Sequence, residues 1–255
     1  MANAAIAAWW CWRTKLVRRV WGIPIQWVAI GLIVITVMCR SLNSYIIGAV
    51  CFAVLLILKR MKMRVALLVL AMLPVVFVTL RAEVGWKAEW FVHFVSTEID
   101  SERAVSMESR IDNEQRMLGH DWERPFFGWG GWNRNRPDDE LAYKGEKAIT
   151  DSWWIIAFGT NGLVGLISLG MVLVLPALVV FGRSRGMAPD SVEVAAGVVL
   201  SVIVLGFAID CLANAMVDPI YFAAIGGVCG QLRRRVANVG VRLPVSSVAL
   251  PTVMN

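Results

Sequence analysis

The sequence predicts an all-α, polytopic membrane protein with about six transmembrane helices and one large external loop that carries short helices. Three observations lead there. Of 255 residues, 58% are hydrophobic and only 17% charged, whereas soluble domains carry about a quarter charged residues. Apolar runs recur near the length a bilayer demands, roughly 17–25 residues. The longest polar stretch, residues 81–151, is a single segment between such runs.

Residues 1–12 are a short apolar run whose positive charges, Arg13, Lys15, Arg18 and Arg19, follow it. That order is wrong for a cleaved signal peptide. The run reads as the end of a helix begun upstream, or as an interfacial segment with Trp9, Trp10 and Trp12 at headgroup depth. Residues 1–19 thus form an amino-terminal segment. Residues 20–80 hold three spans, at 20–39, 44–58 and 65–80, the last kinked at Pro74. A proline inside a span frees backbone groups that neighbouring helices must satisfy. After the loop, 152–235 holds three more, at 153–181, 194–216 and 220–232. The first of these would reach about 40 Å as one helix, so its start projects beyond the bilayer. Gly159-Thr160-Asn161-Gly162 is where it should break. Residues 236–255, with Pro244 and Pro251, read as a cytoplasmic tail.

Charge sets the orientation. Arg13–Arg19, Lys59–Arg64, Arg183 with Arg185, and Arg233–Arg235 all fall on one side if six spans alternate. That side is cytoplasmic by the excess of Lys and Arg in inner loops. Both termini then face the cytoplasm, and residues 81–151 face the periplasm across the bacterial inner membrane. The net charge of +6 does not indicate nucleic acid, because the cations sit in clusters between apolar runs rather than as a basic stripe interleaved with aromatics.

No cofactor or metal centre is indicated. The five cysteines lie in or beside apolar runs and lack metal-ligand spacing, so they read as packing residues. His93 and His120 are far apart. There is no P-loop, Ser-His-Asp signature or Cys-pair motif. Within the loop, Ala104, Met107, Ile111 and Leu118 recur at helical spacing, with Gly119 and Pro125 as stops. Arg103 and Arg110 share a face, and Glu114 lies one turn beyond Arg110.

Three residues stand out. Arg40, between the first two spans, is the basic residue outside the loop that breaks the one-sided charge pattern. It reads as a snorkelling anchor or as a fixed cation for an anionic ligand, since its fork suits phosphate oxygens. Asp210, near the outer end of the fifth span, needs a partner, by default an Arg, and is either structural or a substrate contact. Asp151, where the loop re-enters the membrane, reads first as a helix cap. Its place beside Trp153-Trp154 and near the Arg40 mouth argues for more.

These pieces resemble the C-terminal half of the O-antigen ligase/polymerase family, bacterial multi-span proteins that use undecaprenyl-diphosphate-linked saccharides. Arg40-Ser41-Leu42-Asn43-Ser44 is similar to that family's Ser-Arg-Ser motif at an outer helix end. Arg110 followed by Pro125-Phe126-Phe127-Gly128-Trp129-Gly130 resembles its "Arg … Pro-Leu-Leu-Gly-x-Gly" run. Asp151-Ser152-Trp153-Trp154-Ile155 through Gly162-Leu163-Val164-Gly165-Leu166 resembles its "His-Asn-x-x-Leu … Gly-Leu-x-Gly-Leu". The family's loop histidine is here Asp151, a weaker base at its ordinary pKa near 4, and family members carry further spans upstream.

The resemblance implies an all-helical glycosyltransferase, a ligase or a polymerase. It would transfer a saccharide from a polyprenyl-diphosphate donor to a saccharide or lipid acceptor. Arg40 and Arg110, with Arg124 as a further candidate, would hold the diphosphate without a metal. Asp151 would deprotonate or orient the acceptor hydroxyl, and Trp129, Trp132 and Asp210 would contact sugar or acceptor. The contrasting expectation is a non-catalytic membrane protein that binds polyprenyl phosphate or partners in polysaccharide export.

Overall fold

The computed structural model describes residues 2–58, 63–83, 89–98, 101–131, 133–137, 148–183, 187–191, 194–215 and 218–240. Trp132, the basic residues Lys59, Arg60, Lys62 and Arg185, and the chain beyond residue 240 lie outside them. The described residues are mostly helical.

The first helix, α1 (Ala2–Arg13), packs into the bundle. Trp10 is wholly buried, and its indole N–H donates to Ala195 O at 2.9 Å. The helix ends with Lys15 at φ 57 and Leu16 N donating to Cys11 O at 3.1 Å, a closure that glycine usually supplies. Two short strands follow, β1 (Arg19–Val20) and β2 (Ile23–Pro24), paired antiparallel. Trp21 and Gly22 turn them at φ 49 and 81, the doubly left-handed geometry that fits strand twist. Because residues 19–24 are spent on this hairpin, the expected first span begins later, as α2 (Ile25–Met38).

Arg40, at φ 47, turns the chain into α3 (Leu42–Ile57), capped by Ser41 accepting from Ser44 N at 3.4 Å. Next is α4 (Met63–Glu83), which runs through Pro74. The polar segment contributes α5 (Glu89–Glu98) and α6 (Ser101–Asp121). The bundle closes with α7 (Trp153–Arg183), broken at Gly162, then α8 (Ala195–Asp210) and α9 (Pro219–Gly240).

The core is built around α8, buried at Ala195, Gly197–Val199 and Ser201–Ala208 by α1, α3, α4, α7 and α9. The outer surface is apolar as well. Trp27, Val34, Val69, Val76, Met171 and Leu175 are each more than half exposed, an extent of apolar surface that soluble monomers rarely carry. Two helices are long and apolar enough to cross a bilayer, α4 over Val65–Ala82 and α7 over Trp153–Val180. The apolar stretches of α2, α3, α8 and α9 are shorter.

Bonds between elements define the two ends of the bundle. At one end Asn43 donates to Asp210, Trp153 N donates to Cys211 O at 3.0 Å, and Asn3 donates to Tyr221 Oη at 2.9 Å. At the other, Trp10 meets Ala195. Thus α1 starts at the Asp210 end and finishes at the basic end.

Candidate functional site

The polar stripe of α6 lies over the ends of α4 and α7, and the space between is a cavity of about 480 Å³. Leu42, Phe77, Met107, Ile111 and Leu212 supply its apolar lining; Arg110, Asp151 and the inner group Arg81, Glu114 and Ser152 supply the polar one. At the rim, Arg110 Nη2 stands 3.2 Å from Asp151 Oδ2, with both side chains about half exposed. Asp151 is therefore not the helix cap. Ser152 precedes the first turn, and its carbonyl accepts from Ile156 N at 3.2 Å. The Asp151 carboxylate sits two residues before the helix, turned to Arg110.

Behind the rim is a buried polar chain. Arg81, 3% exposed, donates from Nη2 to Glu114 Oε2 at 2.8 Å and to Ile111 O at 3.4 Å. The other oxygen of Glu114 accepts from Ser152 Oγ. Glu114, one turn beyond Arg110, thus pairs across the bundle with Arg81. A buried carboxylate in low dielectric needs a nearby opposite charge, and α4 delivers one. These contacts fix α4, α6 and the start of α7 immediately behind the Arg110–Asp151 pair.

The Pro125–Gly130 run is spent on the break in α7. Trp129 N and Gly130 N donate to Gly159 O (2.8 Å) and Thr160 O (2.9 Å), carbonyls left open where the first helical segment stops. Pro125 O and Phe126 O accept from Leu163 N (2.7 Å) and Val164 N (3.3 Å), amides left open where the second begins. Helix ends leave such groups unpaired, and one loop caps both. The fit requires glycine, since a Cβ at Gly128 would lie 2.6 Å from Gly159 O, and Gly128 is at φ 64. Asp121 packs against Gly159 together with Asn135. It is fully buried, neither of its oxygens has a hydrogen-bond partner among the described residues, and burial pushes its carboxyl up to about 8.

Of the residues singled out in the sequence, the structure brings Arg110 and Asp151 together. Arg40 is exposed on the link between α2 and α3; it does not line the cavity, although Leu42 does. Arg124 lies over the Trp129 ring at 4.2 Å. The same ring stacks on His120 at 4.2 Å, and its N–H donates to His120 O at 3.2 Å, so Arg124 and Trp129 hold the loop rather than line the cavity. Asp210 has Asn43 in place of the expected Arg.

Sequence alone does not assign Arg81, Glu114 or Ser152 to the site, although one signal marks Glu114. It falls at helical spacing with Met107, Ile111 and Leu118, a charge on the apolar stripe. Among the described residues, no three His, Cys, Asp or Glu side chains converge on a point that suits a metal ion.

Comparison with protein-family models, curated proteins and solved structures finds no match to this chain.

Proposed function

We propose that this chain is a membrane glycosyltransferase of the O-antigen ligase/polymerase type. It would transfer a saccharide from a polyprenyl-diphosphate donor to an acceptor hydroxyl at the outer face of the bacterial inner membrane. The observation that carries the reading is the pairing of two spaces. The cavity with Arg110 at its rim shares Leu212 with an apolar groove of about 420 Å³ between α4, α7 and α8. An anionic head and a hydrocarbon tail joined in one molecule match that pairing.

In this reading the diphosphate takes Arg110 away from Asp151, with Arg40, close in sequence to Leu42, as the second cation. The acceptor oxygen bonds to the anomeric carbon as the carbon–oxygen bond to phosphate breaks. The acceptor proton passes to Asp151, and the polyprenyl diphosphate leaves with its charge met by the guanidinium. The helices form a multi-span bundle with its basic end cytoplasmic and the cavity, with the start of α1, on the periplasmic side.

The test is analysis of polymer and lipid-linked donor in the native host after Arg40→Ala, Arg110→Ala and Asp151→Asn. Loss of product with normal membrane insertion is expected for all three; wild-type product in all three overturns the reading. The Arg110–Asp151 pair also favours a second reading, a non-catalytic binder of polyprenyl phosphate, because an engaged carboxylate is a poorer base. Then Arg110→Ala lowers lipid retention while Asp151→Asn leaves the host's polymer unchanged.

A further inference from the structure

At the opposite end of the bundle, the link between α1 and α2 forms a second site that neither the motif resemblance nor the saccharide chemistry uses. A cavity of about 380 Å³ lies there, with Trp12, Val17 and Pro24 among its apolar walls and Lys15 and Arg18 among its polar lining. No acidic residue precedes Glu83 in the sequence, so α1, the hairpin and α2 carry no carboxylate of their own. Arg13 is engaged over the Trp9 ring at 5.5 Å. Lys15, Arg18 and Arg19 are exposed and have no ion pair among the described residues.

Backbone strain supports a role for this link. Lys15 and Trp21 are both held at left-handed φ, 57 and 49, where glycine or asparagine is the comfortable choice. Left-handed φ in bulky residues is uncommon, and such outliers gather at functional positions. The hairpin holds Trp21 98% exposed beside the cations. An amphipathic indole next to Lys and Arg, at the end of an apolar bundle, is the composition of a membrane interface.

We propose that this cavity binds the headgroup of an anionic phospholipid of the cytoplasmic leaflet, with its phosphate on Lys15 and Arg18 and the first carbons of its chains against Trp12, Val17 and Pro24. Trp21 sits alongside at headgroup depth. The proposal rests on the multi-span reading above, but not on saccharide transfer.

The test titrates short-chain phosphatidylglycerol, phosphatidylcholine and inorganic phosphate into the detergent-solubilised full chain. Saturable binding of phosphatidylglycerol alone is expected. Each cation near an anionic surface contributes about a factor of five, so Lys15→Gln with Arg18→Gln should weaken binding roughly twenty-five-fold. Trp21→Asn separates scaffold from site, because it relieves the turn. It should raise the lipid-free unfolding midpoint and at the same time weaken lipid binding. Equal binding of phosphatidylcholine, displacement of the lipid by inorganic phosphate at similar concentration, or unchanged affinity in the variants overturns the proposal. Because donor analysis in the host reads saccharide transfer separately, either idea can fail without the other.

Discussion

Arg81 and Glu114 form a buried ion pair at 2.8 Å that joins the end of α4 to the middle of α6, directly behind the exposed pair of Arg110 with Asp151. Removing one partner of a buried pair leaves an uncompensated charge, a loss of about 3–5 kcal/mol. Glu114→Ala should therefore lower the unfolding midpoint in detergent sharply. Ser152→Ala, which removes one hydrogen bond, should cost about 1–2 kcal/mol. The two losses should add to more than the double variant shows, since both act on one carboxylate.

The rim pair should behave differently. Both side chains are about half exposed, so solvent screens them, and such pairs contribute between zero and about 1 kcal/mol. Arg110→Ala should unfold within a degree or two of wild type, by differential scanning fluorimetry, while abolishing whatever the cavity does. A large stability loss would place Arg110 in the scaffold instead of the site.

Asp121 makes stability pH-dependent in an unusual direction. The unfolded chain ionises this acid near pH 4, but the folded chain keeps its proton to about pH 8. Folding thus takes up a proton within that window, and stability falls as pH rises through it. Asp121→Asn should flatten the curve. Unfolding midpoints at about pH 5 and about pH 8 should show the variant gaining on wild type at the higher value.

The glycines of the docked loop are not equivalent. Gly130, at φ 59 with nothing within 4 Å of a Cβ, should tolerate alanine at about 1–2 kcal/mol of backbone strain. Gly128 meets backbone atoms at 2.6–2.7 Å, so Gly128→Ala should expel the loop. Limited proteolysis near residues 125–130 reads the difference.

Placement of α1 is testable by chemistry alone. In a cysteine-free background, Ala4→Cys and Asn133→Cys should label from one side of the membrane and Arg19→Cys from the other. Labelling of Ala4→Cys together with Arg19→Cys would place the start of α1 on the basic side, as the charge clusters predict.

The helical class, the break at Gly159–Gly162 and α6 were legible because each follows from local periodicity or glycine placement. Long-range pairing was not. Spacing put Glu114 near Arg110, yet a carboxylate on an apolar stripe at 107, 111, 114 and 118 is buried, and burial demands a cation from another element. Asp121 extends the same stripe, and its burial is hidden for the same reason. The hairpin at 19–24 was hidden because tryptophan, unlike asparagine, gives no turn signal where Trp21 stands. Arg40 is marked by charge pattern and motif and Arg124 by motif alone, and neither signal says which way a link turns.

The seam at Gly162 bears on assembly. Leu163 and Val164 would offer bare amides to lipid if residues 125–130 were not already seated there, and hydrocarbon gives such groups no partner. Translation supplies the plug before the helix it completes. A chimaera that exchanges the polar segment before α7 must therefore carry both halves of the joint, or the helix after it is left with unpaired amides.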